Sequence, residues 1–335
     1  MGSASLDACF SLRPDELRPL VERSWEVSRE NFPGYIHFYF PGMVRIETSF
    51  YTPKNPLRFP GISITGGFCR LGCEHCKGII LRDMIHATTP EALFEACVKV
   101  RDAGGSGCLV TGGSLEDGSV PLKKFIQTLK RVKDELGLSV VVHTGFVDEE
   151  LAEGLAYAGV DAAMVDVVGS DETIRSVLKL DRKVADYERS LDNLNRHSVP
   201  AVPHVVVGIH YGRILGERKA LEVVSRHKPM ALVVVALMPL AGTPMEKVPP
   251  PTPVDVMRVI LFARLSMPDT PIVLGCARPR GALRSAMDVL ALRAGINGIA
   301  YPSEEAYRFA RRLGLGISIH DHCCSLIWRD ISPGA

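Results

Sequence analysis

Eight short apolar runs, each followed by a segment whose apolar residues have helical spacing, dominate the hydrophobic pattern of the chain. The predicted strands are Ile62–Thr65, Gly107–Thr111, Ser139–His143, Ala162–Asp166, Val202–Ile209, Ala231–Met238, Ile272–Leu274 and Gly298–Tyr301. The predicted helices are Pro90–Ala103, Pro121–Leu136, Asp148–Ala158, Val184–Arg196, Gly216–Arg226, Pro253–Leu265, Gly281–Arg293 and Ser303–Leu313. Apolar strands without alternation, separated by helices, favour a parallel sheet covered on both faces. The pattern therefore predicts an α/β fold, a closed TIM-type (β/α)8 barrel, with an open doubly wound sheet as the competing topology.

Segments outside this repeat divide the chain into three parts. Residues 1–60 form a predicted N-terminal helix/strand extension, with an amphipathic helix over Pro14–Arg29 and a strand-like piece at Ile36–Phe40. Residues 61–313 form the predicted barrel, and residues 314–335 form a C-terminal tail that contains two cysteines.

The bulk composition excludes several classes of partner. The chain has 335 residues, 46% of them hydrophobic, and a formal net charge of +1, so no nucleic-acid surface is implied by charge. No apolar run reaches the length of a membrane span, and the first residues lack the pattern of a secretion signal. We expect a cytoplasmic protein, in which cysteines serve as metal or catalytic ligands rather than disulfides.

Three cysteines directly after the first predicted strand form a C-x3-C-x2-C frame: Cys69, Cys73 and Cys76. Thiolates are soft ligands, and a tight group of them favours zinc or an iron–sulfur cluster. Three ligands are one short of a closed site, so one iron of a cubane would stay open for chemistry. A structural zinc knuckle is the alternative, although no fourth Cys or His lies at zinc-finger spacing.

This frame, with His75 before its last cysteine, resembles the signature of the radical S-adenosylmethionine (SAM) enzymes. The resemblance implies a [4Fe–4S] cluster on the three thiolates, with SAM bound to the unliganded iron through its amino and carboxylate groups. An electron from such a cluster breaks SAM into methionine and a 5′-deoxyadenosyl radical, which abstracts hydrogen from a substrate.

The second predicted strand ends at Thr111, Gly112 and Gly113, where a barrel places its working residues. Paired glycines let a backbone approach a ligand closely, and the radical SAM family binds the SAM amino group here with Gly-Gly-Glu. This chain has Ser114 in place of the glutamate. A tight turn between strand and helix is the competing interpretation.

Polar residues at the ends of the next strands are candidates for catalysis or SAM binding. His143, Asp166 and His210 end the third, fourth and fifth strands. Asp166 matches the position at which biotin-synthase-like enzymes hold the SAM ribose hydroxyls, while a helix N-cap is the alternative. Arg182 is a candidate for the SAM carboxylate. A histidine satisfied within the core is the competing interpretation of His143.

The seventh predicted strand ends with an unusual group, Cys276 followed by Arg278 and Arg280. The two arginines are candidate catalytic residues because they lie at the top of a barrel strand.

A second iron–sulfur site is predicted from Cys276 together with Cys323 and Cys324 of the tail, with Cys9 or a non-cysteine group as the fourth ligand. Because adjacent cysteines strain the backbone when both bind one cluster, one of the pair would be a spectator. Buried free thiols are the alternative.

The resemblance to biotin synthase extends from about residue 61 to residue 302. Biotin synthase has extra cysteines on barrel strands two, three and five, and only Cys108 lies at a comparable place here, which disfavours biotin synthesis. Cysteines after strand seven and in a tail look instead like the two-component lipoyl synthases. That resemblance implies sulfur insertion at carbons six and eight of an octanoyl chain on a lipoyl-domain protein.

The same resemblance implies a partner radical SAM subunit and a reducing protein such as ferredoxin or flavodoxin, with no nucleic acid and no membrane. Two other classes stay open at this point. A radical SAM mutase or lyase would need only the first cluster, and a non-enzymatic metal-binding or scaffold protein would not cleave SAM.

Overall fold

The computed structural model describes residues 3–44, 46–53 and 55–331. Its strands are β1 Tyr35–Tyr39, β2 Gly61–Ser63, β3 Ile85–His86, β4 Gly107–Thr111, β5 Ser139–His143, β6 Ala162–Asp166, β7 Ala201–Val207, β8 Leu232–Ala236, β9 Ile272–Leu274, β10 Gly298–Ala300 and β11 Gly316–His320. Its helices are α1 Ser3–Ser11, α2 Arg18–Asn31, α3 Pro90–Asp102, α4 Ile126–Leu136, α5 Glu149–Ala158, α6 Asp171–Ser176, α7 Val184–Arg196, α8 Glu217–Arg226, α9 Pro253–Ser266, α10 Ala282–Arg293, α11 Glu304–Arg312 and α12 Ile327–Asp330. Short 3-10 turns lie at Pro14–Leu17, Ile79–Leu81, Lys123–Phe125 and Cys324–Leu326.

All of these strands belong to one parallel sheet with the order β11-β1-β10-β9-β8-β7-β6-β5-β4-β2-β3. The eight strands predicted from the sequence are β2 and β4 to β10, and they occupy eight consecutive places. The α/β prediction is confirmed, but the ring is not closed. Strand β1 pairs with the outer edge of β10, which is the edge that β2 would need for closure. The sheet is therefore a partial barrel, extended by β1 and β11 at one end and by β3 at the other.

Side-chain caps start many of the helices that cover this sheet. In α3, α5, α6, α9 and α11 the residue before the helix accepts a hydrogen bond from the backbone N–H three residues later; these caps are Thr89, Asp148, Ser170, Thr252 and Ser303. Such caps satisfy amide groups that have no partner within the helix. The start of each helix is thus encoded locally, directly after the loop that leaves the sheet.

The pairing register shows which side chains face the helices and which face the concave side. Cys108 on β4 is buried with its sulfur 3.8 Å from that of Cys97 on α3, so it faces the helix layer. Val140 on β5 is paired with Cys108 and faces the same way. Successive strand residues alternate, so His143 faces the concave side. Cys97 and Cys108 are core residues, as the sequence predicted.

The C-terminal tail folds into the concave side of the sheet. The 3-10 turn at Cys324–Leu326 contacts β6, β8 and β10, and a Cβ added at Gly298 of β10 would lie 2.9 Å from Cδ1 of Ile327. Arg329 donates a hydrogen bond to the buried Asp161, which precedes β6. The tail is therefore an inner plug of the partial barrel rather than an appendage. Among the described residues, no helix combines the length and apolarity that a bilayer span requires.

Candidate active site

The loop that contains the first three cysteines depends on a glycine of the neighbouring strand end. A Cβ at Gly113 would lie 2.0 Å from the carbonyl oxygen of Phe68 and 2.5 Å from Cα of Cys69. The Gly113 N–H donates to Oγ1 of Thr65 at 2.7 Å. The Gly-Gly pair therefore lets two backbones meet, and its predicted contact with SAM stays a prediction.

Backbone hydrogen bonds hold the cysteine loop on two sides. The N–H of Arg70 donates to the carbonyl of Ser114 at 2.9 Å, and the N–H of Glu74 donates to the carbonyl of Val177 at 2.9 Å. Lys179 forms an ion pair with Glu74 at 2.9 Å. The loop is thus fixed between the segments that follow β4 and α6, independently of any ligand.

The thiols of Cys69, Cys73 and Cys76 lie close enough to act on one another electrostatically. Burial, with the nearby Cys76 and Cys69, raises the pKa of Cys73 to about 12. Burial also raises the pKa of Cys76, and Cys69 adds to the effect. Thiols with raised pKa values are protonated at neutral pH, and a bound metal would replace those protons.

These residues fit an iron–sulfur cluster with one open iron. The donors are three soft thiolates from one loop, which is the donor set that iron–sulfur clusters use. Next to them, Nδ1 of His75 is buried and has no hydrogen-bond partner among the described residues. Burial lowers the pKa of His75, so the imidazole is neutral. A buried ring nitrogen without a partner is expected where a ligand completes the site.

Below the cysteine loop, one carboxylate lies between histidines on the concave face. Nε2 of His143 lies 3.3 Å from Oδ1 of Asp166, and Asp166 is paired in register with His204 of β7. The rings of His143 and His204 are 5.6 Å apart. One ligand atom from each of the three residues lies within 4.8 Å of the other two. The structure thus brings His143 and Asp166 together as ends of adjacent strands.

The pKa values of Asp166, His143 and His204 depend on burial and on how close the three side chains lie to one another. Burial alone would raise the pKa of Asp166, but His143, His204 and His75 lower it to about 2. Burial would lower the pKa of His143, but Asp166 raises it above the ordinary value. Burial, aided by His143, lowers the pKa of His204 to about 4. At neutral pH the group holds an ionised carboxylate beside a neutral His204.

His204 was missed by the sequence analysis. Its only signal is a polar side chain inside the apolar run predicted as strand five. The position of His204 opposite Asp166 depends on the pairing of β6 with β7, which the sequence alone does not show.

The structure also gathers the second set of cysteines. Burial raises the pKa of Cys276, and the neighbouring Cys323 adds to the effect. Hydrogen bonding to Cys323 raises the pKa of Cys324. The hydroxyl of Ser325 donates to the sulfur of Cys323 at 3.1 Å, and hydrogen bonds from Cys324 and Ser325 lower the pKa of Cys323. Cys323 also acts on His143, so the two groups adjoin.

Cys9 does not join this set. It lies on α1, which packs against α9 in the outer helix layer, and its carbonyl accepts a hydrogen bond from Arg258 of α9 at 2.6 Å. Cys9 as a fourth ligand is therefore wrong, and a non-cysteine ligand is the remaining option.

The two arginines after β9 have different environments. Arg278 is fully buried, with Nε 2.9 Å from Oδ1 of the equally buried Asp288, and it donates to the carbonyls of Gly275 and Ala300 at 2.6 and 2.8 Å. Its positive charge opposes the rise in the pKa of Cys276 that burial causes. The guanidinium of Arg278 is thus bonded to Asp288 and to backbone carbonyls, and its predicted catalytic role stays a prediction. Arg280 is exposed, and its catalytic role stays a prediction.

His210 and Arg182 lie beside the site but are not part of the carboxylate–histidine group. Nδ1 of His210 lies 3.0 Å from Oγ1 of Thr173 on α6. Arg182 donates to the carbonyl of Asp117 at 3.2 Å and lies 3.7 Å from Asp186. Each side chain thus links two segments that follow the strands. The predicted roles of His210 in catalysis and of Arg182 in SAM binding stay predictions.

Comparison with protein families agrees with this geometry. The Radical SAM superfamily profile matches residues 63–224, and the Biotin and Thiamin Synthesis associated domain, abbreviated BATS, matches residues 234–315. The first match contains the cysteine loop and the carboxylate–histidine group. The chain thus contains a radical SAM domain. Its BATS domain contains the segment with Cys276.

Curated relatives of this radical SAM protein include biotin synthases. The biotin synthase of Synechococcus sp. (strain CC9311) is 23% identical over 296 residues, which cover 84% of this chain and 82% of that protein. The biotin synthase of Gluconacetobacter diazotrophicus is 27% identical over 283 residues, covering 77% and 85%. The radical SAM protein is therefore biotin-synthase-like.

Solved structures show the same fold. Methylornithine synthase superposes with a TM-score of 0.65 at 17% identity, over 98% of this radical SAM protein and 96% of that chain. The maturase HydG gives a TM-score of 0.65 at 13% identity, over 96% and 72%. The predicted α/β barrel of the radical SAM kind is confirmed in its partial form.

Proposed function

We propose that this radical SAM protein inserts sulfur into unactivated C–H bonds of an octanoyl chain carried by a lipoyl-domain protein, as one component of a two-component lipoyl synthase. The observation that carries the proposal is that Cys276 and the tail cysteines Cys323 and Cys324 lie near enough to affect one another electrostatically, and that Cys323 also affects His143. Two sequence-distant segments thus supply thiols to one place inside a radical SAM fold.

Cys69, Cys73 and Cys76 would hold the SAM cluster, and Cys276 with one or both tail cysteines would hold a second cluster. When bound, the first cluster with SAM supplies a primary carbon radical and the second supplies sulfur. A radical is needed because no acid or base in a protein can remove a proton from an alkane.

The remaining residues of the site would bind and orient SAM and keep water away from the radical. Asp166 is ionised, because its pKa is about 2, and so can accept hydrogen bonds from the ribose hydroxyls of SAM. Nε2 of His143 lies 3.3 Å from this carboxylate and can donate a hydrogen bond to it. The tail segment Cys324–Leu326 fills the concave side beneath them and excludes water. Exclusion of water protects a reactive carbon radical from side reactions.

The curated relatives are biotin synthases, but the inner face of this sheet argues against biotin synthesis. Strands β4, β5 and β7 have no cysteine on their concave face, since Cys108 faces α3. The proposal therefore includes the partners of a lipoyl synthase: a second radical SAM subunit, an octanoylated lipoyl domain, and a ferredoxin or flavodoxin as reductant.

A mutase or lyase that uses only the SAM cluster is the second candidate. The observation in its favour is that Cys323 and Cys324 are almost inaccessible to solvent, as structural core thiols are. In that case the tail cysteines would contribute packing only.

The test is anaerobic reconstitution followed by iron and sulfide analysis and an activity assay. Wild type should bind about eight irons, and the Cys69/Cys73/Cys76→Ala and Cys276/Cys323/Cys324→Ala variants about four each. With dithionite, SAM and an octanoylated lipoyl-domain peptide, wild type should give a thiolated peptide by mass spectrometry. The second variant should cleave SAM without that product, whereas Cys97→Ala should behave as wild type.

Two results would contradict this proposal. If the Cys69/Cys73/Cys76→Ala variant contains no iron, the protein has no second cluster and therefore no source of sulfur. A thiolated product from the Cys276/Cys323/Cys324→Ala variant would show that these thiols supply no sulfur.

A further inference from the structure

A third group of metal-binding side chains lies where the tail meets β1 and β11, and it is distinct from both cysteine groups. It consists of His320 at the end of β11, His322 just after it, and Asp330 at the end of α12. Oδ1 of Asp330 lies 3.3 Å from Nε2 of His322 and 3.7 Å from Nδ1 of His320. We propose that these three side chains bind one divalent transition-metal ion of the zinc or ferrous class.

The spacing is that of ligands around a shared ion. Metal–ligand bonds of about 2.0–2.1 Å in tetrahedral geometry place ligand atoms roughly 3.3 Å apart. One ligand atom from each of the three residues lies within 4.8 Å of the others. A hydrogen bond does not explain the contact between His320 and Asp330, because 3.7 Å is too long for one.

Each ligand is also oriented by a partner on its outer side. Nδ1 of His322 lies 3.2 Å from the carbonyl of Cys323, which fixes the proton on Nδ1 and leaves Nε2 free to bind. Nε2 of His320 lies 3.0 Å from Nδ1 of the buried His37. When Nε2 of His320 is the donor in this contact, Nδ1 of His320 is left free to bind. Hydrogen bonds of this kind set the tautomer of metal-binding imidazoles.

The carboxylate has a matching outer partner. The hydroxyl of Tyr39, which is fully buried on β1, donates to Oδ2 of Asp330 at 2.7 Å. Oδ1 is thereby left to the ion. Outer partners of this kind are a usual feature of built metal sites.

The donor set and the exposure select the class of ion. Two imidazoles and one carboxylate suit zinc or ferrous ion, whereas calcium and magnesium require oxygen ligands. The side chains are between 13% and 24% exposed, so an ion and a completing water can reach them. The ligands flank Cys323 and Cys324 in the chain, so the ion would fasten the tail in place. This inference does not depend on the lipoyl synthase proposal.

The test is equilibrium dialysis of the reconstituted holoprotein against zinc, with zinc and iron measured by mass spectrometry. Wild type should bind one zinc beyond its iron, and His322→Gln and Asp330→Asn should lose it. Tyr39→Phe should weaken zinc binding about 10- to 100-fold. His197→Gln is the matched control, because His197 also pairs with a carboxylate, that of Glu149, at 2.7 Å, but lies outside the proposed site.

Several outcomes would overturn the site. The proposed metal site is contradicted if wild type binds no extra zinc. It is also contradicted if His322→Gln has the same zinc content as wild type. Loss of iron rather than zinc in His322→Gln would assign that imidazole to the iron–sulfur site instead. If both ligand variants fail to fold by circular dichroism, Tyr39→Phe decides, and an unchanged zinc affinity contradicts the proposal.

Discussion

The carboxylate of Asp166 lies 3.3 Å from Nε2 of His143, at the carboxyl ends of two adjacent strands. Both side chains face the concave side, beneath the cysteine loop. Burial favours a neutral imidazole, and the carboxylate reverses that preference. Among the neighbours of His143, Asp166 therefore has the largest effect on its pKa.

Asp166→Asn should lower the pKa of His143. In wild type His143 should titrate above 6.5, and in the variant at a lower pH, because both effects of Asp166 are lost while burial still lowers the pKa. The measurement is NMR titration of the imidazole in protein without cluster, assigned with His143→Gln. A His143 pKa unchanged by the substitution would contradict the pairing.

The same pair makes stability depend on pH in two directions. The pKa of His143 is raised from 6.5, so its contribution is complete below 6.5 and is lost as pH rises through the folded-state value. The pKa of Asp166 is lowered from 3.8 to about 2, so its contribution is present above 3.8 and is lost as pH falls through 2. The difference in stability between wild type and Asp166→Asn should therefore be largest between these limits.

Gly113→Ala should disrupt the SAM cluster. The added methyl would lie 2.0 Å from the carbonyl oxygen of Phe68, so the cysteine loop has to move. We expect loss of most of the iron held by Cys69, Cys73 and Cys76, measured after anaerobic reconstitution. Gly67→Ala is the control in the same loop, because a Cβ there meets nothing within 4 Å. Equal iron in both variants would argue against the close approach.

Arg278→Met should destabilise the fold by about 3–5 kcal/mol, since it leaves the buried carboxylate of Asp288 without its cation. Arg278→Met combined with Asp288→Leu should cost less than the single change, because no buried charge remains. Urea denaturation followed by tryptophan fluorescence measures both. A double variant as unstable as the two single changes added together would show that the pair is not coupled.

Ile327→Ala should loosen the inner plug. Ile327 is fully buried against Gly298, and removal of its methyl groups costs about 2–5 kcal/mol of packing. If the tail opens locally, alkylation of Cys323 and Cys324 by iodoacetamide should accelerate at least about tenfold. Ile319→Ala is the control, because Ile319 is 38% exposed on β11. An unchanged alkylation rate in Ile327→Ala would show that Ile327 does not hold the tail in place.

Much of the fold could be predicted because buried parallel strands are continuous apolar runs. The bounds predicted for β4, β5 and β6 match those observed. Strand β11 was missed because no residue of Gly316–His320 is fully buried and its partner, β1, lies far away in the sequence. The prediction of a closed ring was wrong because β1 pairs with β10, and these two strands are far apart in sequence.

In the site, too, local features could be predicted from the sequence, whereas contacts between distant segments could not. The cysteine loop was predictable because its ligands lie within eight residues of one another. The contact of His204 with Asp166 depends on strand register, and the exclusion of Cys9 depends on helix packing. Neither relationship is encoded in local spacing.

The pairing of β1 with β11 has a consequence for the order in which the protein is made. Residues 35–39 leave the ribosome early, whereas their partners, residues 316–320, leave it 281 positions later. The edge of β1 that pairs with β11 therefore stays exposed until residues 316–320 have been synthesised, and Cys323 and Cys324 can enter the interior only after that. A transcript interrupted before codon 316 would yield a chain that has its first three metal-binding cysteines but an unfilled interior.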